Sequence, residues 1–94
     1  MADLLTNATD DAVSSGIVAT GPILVTVTGK IPKGIVRITG DIGGGEAVAY
    51  THSAGDPTSF ARLEFTAGVT FKAYLENTSG HPDTDVTVTY IFVA

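Results

Sequence analysis

The last eleven residues, from Thr84 to Ala94, alternate polar and apolar side chains and then turn apolar on both sides. In an extended strand, successive side chains point to opposite faces. Val86, Val88, Tyr90 and Phe92 therefore share one face, leaving Thr87, Thr89, Ile91 and Val93 on the other. A half-buried strand needs only one apolar face. Ile91 and Val93 call for a second cover, from another layer of the chain or from a neighbouring subunit. The expectation is an all-β protein that works by adhesion.

The same period of two runs back through most of the sequence. Residues 16–20 form a short strand, and Pro22 separates it from residues 23–28, where Ile23, Val25 and Val27 share a face. Pro32 cannot donate to a central ladder, which makes residues 29–34 a connection. Val36 and Ile38 share a side over residues 35–39. Gly40 to Gly45 read as a loop, and residues 46–52 present Val48 and Tyr50 together. Residues 60–65 turn Ala61, Leu63 and Phe65 inward and Arg62 and Glu64 outward. Ala67-Gly68 reads as a hairpin joint. Beyond it, Val69, Phe71, Ala73 and Leu75 line one face of residues 69–77. About seven strands at spacings of roughly ten to twelve residues leave no room for crossover helices. The predicted architecture is a single antiparallel β-sandwich or jelly-roll-like domain over residues 16–94. Residues 1–15, with Leu4 and Leu5 as their large apolar side chains, read as an N-terminal arm docking through those leucines. A short helix capped by Thr9 over residues 9–13 is the alternative considered for that stretch.

Composition narrows the function. Ninety-four residues suit one domain, and 44% apolar content supplies a core. Cysteine is absent, which removes disulfides and thiolate metal sites. Ten acidic against five scattered basic residues give a net charge of −5, and phosphate binding needs the opposite. Nucleic acid is therefore not an expected partner. No apolar run approaches the roughly 18–20 residues of a membrane span, so no membrane partner is expected. The acidic Met-Ala-Asp-Leu-Leu start lacks the basic lead of a signal peptide, and the reading is of a chain made and used without secretion.

Chemistry-bearing residues are sparse. Gly43-Gly-Gly-Glu46 lacks the Lys-Ser/Thr of a phosphate loop and is better read as a hairpin loop. His52 and His81 with Asp56, Asp83 and Asp85 are the one zinc-like set, and Asp10, Asp11, Asp83 and Asp85 the calcium-like one. Neither has ligand spacing typical of such sites. No serine lies in a Gly-x-Ser-x-Gly turn. The expectations are no enzyme, no catalytic residue, no cofactor and no metal. The interface candidates are Leu4 and Leu5 in the arm, Phe60 and Tyr74 on faces opposite the main core, and Tyr90, Ile91, Phe92 and Val93 as a subunit seam.

The run Leu4-Leu-Thr-Asn-Ala-Thr9, then Gly16-Ile-Val-Ala-Thr-Gly21 leading into Ile23-Leu-Val-Thr-Val-Thr-Gly29, resembles small virion proteins of tailed bacteriophages. Phe65-Thr-Ala-Gly-Val-Thr-Phe-Lys-Ala-Tyr-Leu75 and the aromatic-aliphatic final strand extend the likeness. It is one of length, spacing and Thr/Val/Gly richness over most of the chain. The resemblance implies a capsid decoration (cement) protein on the outer surface of the virion. It would bind major capsid protein as a homo-oligomer, with a trimer expected. Two rival readings are a tail, fibre or baseplate module and a carbohydrate-binding or adhesion module. Absent tryptophan weakens the last, and absent repeats weaken a fibre.

Overall fold

A computed structural model describes residues 2–53, 58–76 and 83–93. These form nine strands and no helix: β1 (Ala2–Ala8), β2 (Ala12–Val13), β3 (Ile17–Val18), β4 (Ile23–Lys30), β5 (Ile35–Asp41), β6 (Glu46–Ser53), β7 (Thr58–Leu63), β8 (Thr70–Glu76) and β9 (Asp85–Phe92). With no helix among the described residues, none is long and apolar enough to cross a membrane. Two antiparallel sheets pack face to face, in the order β1-β9-β4-β7 (sheet A) and β2-β8-β5-β6 (sheet B), with β3 also paired to β8. The predicted all-β sandwich is present, with nine strands in place of about seven.

The two extra strands come from the first fifteen residues, and the short strand expected over residues 16–20 is present as β3. Polar side chains mark residues 1–15 as an arm, but β1 pairs along β9, with Leu5 opposite Val88 and Ala8 opposite Val86. Leu5 is thereby buried in the core, and Leu4 is half-buried against it. Asn7 adopts a positive φ of 47°, which suits asparagine better than most residues, within an irregular register. The stretch considered for a helix instead contains β2, which pairs with β8, as β3 does. Between those two short strands Ser14 keeps the ladder closed. Its backbone N–H donates to the Ala73 carbonyl at 2.9 Å, and its hydroxyl accepts from the Ala73 N–H at 2.8 Å.

The core lies where the alternation puts it. Ile23, Val25 and Val27 of β4 and Val86 and Val88 of β9 face Val36 and Ile38 of β5 and Phe71, Ala73 and Leu75 of β8. One end is aromatic. Phe71 stacks on Phe65 with ring centroids 5.4 Å apart and meets the edge of Tyr90 at 5.1 Å. Tyr90 in turn packs edge-on against Phe92 at 5.5 Å.

Two local expectations change. Ala67-Gly68 is not a hairpin joint, because β7 pairs with β4 in sheet A while β8 pairs with β5 in sheet B. The turn carries the chain between layers, and the Gly68 N–H donates to the Ala19 carbonyl at 2.9 Å. Val48 and Tyr50 do not share a face. A register shift opposite Ile38 and Thr39 inserts an extra residue between them, leaving Val48 exposed and Tyr50 half-buried. The Gly40–Gly45 loop joins β5 to β6 as the hairpin expected there, with the Asp41 carboxylate accepting from the Gly43 N–H at 2.6 Å.

Two glycines with similar backbones give a test of packing against conformation. Gly29 has φ of 104°, and a Cβ there would lie 1.9 Å from the Asp85 carbonyl oxygen in the β4–β9 ladder. Gly43 has φ of 108° with open space around it. Gly43→Ala should cost about 1–2 kcal/mol, the left-handed penalty alone. Gly29→Ala should cost clearly more, since the ladder must also move. Urea unfolding of both variants measures the difference, and equal losses would contradict the close approach.

Candidate functional site

The outer faces of the two sheets differ in chemistry. On sheet B, the Tyr74 hydroxyl donates to the Glu46 carboxylate, at 2.7 and 2.6 Å from its two oxygens. The Lys72 ammonium lies 3.7 Å from the same carboxylate. Arg37 pairs with Glu76, and its guanidinium sits over the Tyr74 ring at 5.7 Å. These pairs span the middle of the face across β5, β6 and β8, while Arg37 Nε and the Thr39 hydroxyl are buried without a hydrogen-bond partner among the described residues and Val13, Val18 and Val48 stay exposed on β2, β3 and β6. Donating to Glu46 favours the protonated phenol, so the Tyr74 pKa lies above its ordinary value. Partial burial and the carboxylate's charge add to the rise, and Arg37 opposes it.

On sheet A the exposed apolar side chains reach the interior strands. Because Ile23, Val25 and Val27 must face inward, Leu24, Thr26 and Thr28 face outward from β4. The ladders place Leu24 between Arg62 of β7 and Ile91 of β9, and Thr26 between Phe60 and Thr89. Phe60 is 77% exposed, Ile91 47% and Leu24 44%. Leu24 links the two others, which stand on strands about 10 Å apart. Thr26, Thr28, Thr87 and Thr89 fill the remaining central positions. The charges sit at the margins: Lys30 opposite Asp85, Arg62 paired with Glu64, and Asp3 opposite Thr89.

The sequence-predicted interface residues divide among several environments. Phe60 and Ile91 both lie on the outer face of sheet A, on the strands either side of β4. Tyr74 lies on the opposite side of the sandwich, within the Glu46–Arg37 network. Tyr90 and Phe92 turn inward to the aromatic end of the core, where Phe92 keeps 37% exposure. Val93 is half-buried, and its N–H donates to the Pro22 carbonyl at 2.9 Å. Leu5 belongs to the core and Leu4 packs beside it. Leu24 was missed as a candidate although its signal was plain: an apolar residue at the outward parity of an otherwise alternating strand.

Two further regions carry weaker cases. An apolar cleft of about 460 Å³ opens beside the β5–β6 hairpin, bounded by Ile42, Val48, Phe65 and Val69. His52, from the zinc-like set, is buried in β6 opposite Val36. Asp10 and Asp11 follow β1, and Asp83 and Asp85 are exposed around the start of β9. Asp56 and His81 lie outside the described residues. Among the described residues, no three His, Asp or Glu side chains gather as metal ligands would. Comparison with protein-family models, curated proteins and solved structures found no match to this chain.

The Tyr74–Glu46 bond has a titratable consequence. With the folded pKa raised, its contribution to stability is present below about pH 10, the unfolded phenol's range, and fades as pH climbs through the folded value. Glu46→Gln should bring the Tyr74 pKa down toward its ordinary value. Site-resolved NMR of the phenol ring measures this, and an unchanged titration would remove Glu46 as the cause.

Proposed function

We propose that this chain is a structural assembly protein that acts by burying the outer face of sheet A against other subunits, as a capsid decoration protein does. One observation carries the reading. Phe60, Leu24 and Ile91 stand on three adjacent strands of sheet A, with Leu24 directly opposite Ile91 on its two interior strands, whereas the exposed valines of sheet B (Val13, Val18 and Val48) lie on its outer strands beside a centre of ion pairs and hydrogen bonds. Burying an exposed Phe, Leu or Ile side chain contributes about 1.5–3 kcal/mol each. Apolar patches of this kind on a monomer mark contact sites more often than accident.

The edges of the sandwich favour face contact over strand addition. β1 and β6 both carry register shifts, β2 and β3 have two residues each, and β7 ends beside the Arg62–Glu64 ion pair. Irregular, short or charged edges discourage another chain from extending the ladder. The resemblance to small tailed-phage virion proteins supplies the setting, with major capsid protein as the shell partner and the acidic exterior suited to the outer surface. A tail module or a glycan-binding module has no comparable observation behind it, since the Tyr74 hydroxyl is held by Glu46.

Particles of the encoding phage, freed of this protein and incubated with the recombinant chain, provide the test. Wild type should bind heads in a fixed ratio to major capsid protein, and Phe60→Lys should lower occupancy about tenfold or more. Binding confined to tails, absence from particles, or full occupancy by the Phe60→Lys chain would each refute the assignment.

A further inference from the structure

We infer that β1 is an exchangeable strand, which leaves β9 and is replaced there by the β1 of a second copy in a reciprocally exchanged dimer. The site is the edge of β9 and not the outer face of sheet A, so the inference goes beyond the assembly reading and does not depend on it. Its occupant is seen in place, since β1 itself covers that edge.

The two flanks of β9 are held differently. Against β4 it makes eight consecutive register pairs, from Phe92 to Asp85, without a shift. Against β1 it makes four, broken by shifts between Asp3 and Leu5 and between Leu5 and Ala8. β1 commits one side chain, Leu5, fully to the core, and leaves Ala2, Asp3, Thr6 and Asn7 exposed. The Thr6 hydroxyl donates to the Asp3 carboxylate at 2.8 Å, and the Asn7 N–H to the Thr87 hydroxyl at 3.1 Å. Both bonds lie where water can replace them at little cost. Segments with few buried apolar contacts and exposed hydrogen bonds open before the rest of a domain.

The connection favours exchange. β1 belongs to sheet A and β2 to sheet B, so the chain crosses between layers over residues 9–11, all of them exposed. Just before the crossing, Asn7 takes its positive φ of 47°. Five extended residues span about 17 Å, more than the roughly 10 Å between packed sheets. Residues 7–11 must therefore fold back on themselves in the closed chain, and the left-handed Asn7 is part of that fold. Running on to a neighbour, the same residues straighten and the left-handed conformation is no longer required. Short hinges under strain invite swapping.

The vacated groove selects its own strand. It takes an apolar side chain opposite Val88, with one extra residue between that side chain and the one opposite Thr89. Leu5, preceded by Leu4 and Asp3, meets this condition. A second copy of residues 2–6 reproduces the pattern residue for residue, and reciprocal exchange leaves no open edge.

The chain has no cysteine, so a paired substitution reads the connectivity directly. Asp3 lies opposite Thr89, and opposed residues of antiparallel strands stand within disulfide reach. The Asp3→Cys/Thr89→Cys chain is unfolded in urea with reductant, refolded at low and at high concentration, separated by size and then oxidised. The monomer peak should carry its disulfide within one chain. The dimer peak, favoured at high concentration, should hold two chains linked in denaturant until reduced. In the cysteine-free chain, Asn7→Gly accepts the positive φ and should lower the dimer fraction severalfold. Asn7→Val resists it and should raise that fraction severalfold. Both remove the same side-chain amide, and circular dichroism checks that each folds; if either does not, the cysteine pair decides alone. A monomer at every refolding concentration, a dimer whose disulfides all lie within single chains, or a dimer fraction unmoved by two folded Asn7 variants would overturn the inference. None of these outcomes bears on head binding through Phe60.

Discussion

The β4–β9 ladder is the constraint from which both the core and the apolar outer face of sheet A follow. Its eight register pairs run from Ile23 opposite Phe92 to Lys30 opposite Asp85. With Val25, Val27, Val86 and Val88 held inward, Leu24 and Ile91 have no choice but to stand side by side in water. A slip of one residue would drive the threonines into the core and expose the valines. The apolar exterior is therefore inseparable from the correct interior. Removing Leu24 or Ile91 from the surface requires a different residue, because no alternative register keeps the core.

The two outer faces show how one architecture supports opposite surface chemistries. On sheet B, outward positions of three neighbouring strands hold Arg37, Glu46, Lys72, Tyr74 and Glu76, and each finds a partner across the ladder. Individually such exposed pairs contribute little, about 0–1 kcal/mol. Collectively they occupy the centre of the face, with exposed Val13, Val18 and Val48 on the strands around it. On sheet A the equivalent positions hold threonine, leucine, isoleucine and phenylalanine. Threonine suits a strand by its branched Cβ and costs little to desolvate when its hydroxyl finds a match. A face of that composition tolerates water in the free subunit and can give it up on contact.

Alternation made β4, β5, β8 and β9 legible in the sequence, because each keeps an uninterrupted apolar run at its inward positions. The same signal placed Phe60 and Ile91 outside. It failed where something other than side-chain parity decides the structure. β1 looks like an arm because only Leu5 reaches the core, and its strand character comes from backbone pairing with β9. The β2 segment is too short to show a period, and Ser14 beside it bonds to a strand far away in sequence. The extra residue in β6 reversed the relation of Val48 to Tyr50, which no local pattern announces. Ala67-Gly68 has the composition of a tight hairpin, yet whether a turn joins neighbours or crosses layers depends on which strands Leu63 and Phe71 find. The docking face was half-visible for the same reason: parity exposes Phe60 and Ile91, but only the pairing of β4 with both β7 and β9 puts Leu24 between them.

Edge structure determines what kind of assembly such a face can build. An apolar sheet surface risks open-ended aggregation when the sheet's edges are also available, since stacking and ladder extension then reinforce each other. Here β1 and β6 are irregular at the edges, and β2 and β3 are too short to template a strand. Growth along the hydrogen-bonding direction is discouraged, which leaves the sheet faces as the surfaces open to contact. On sheet A, Leu24 and Ile91 stand side by side among threonines, and those hydroxyls can leave water at little cost once a facing surface matches them.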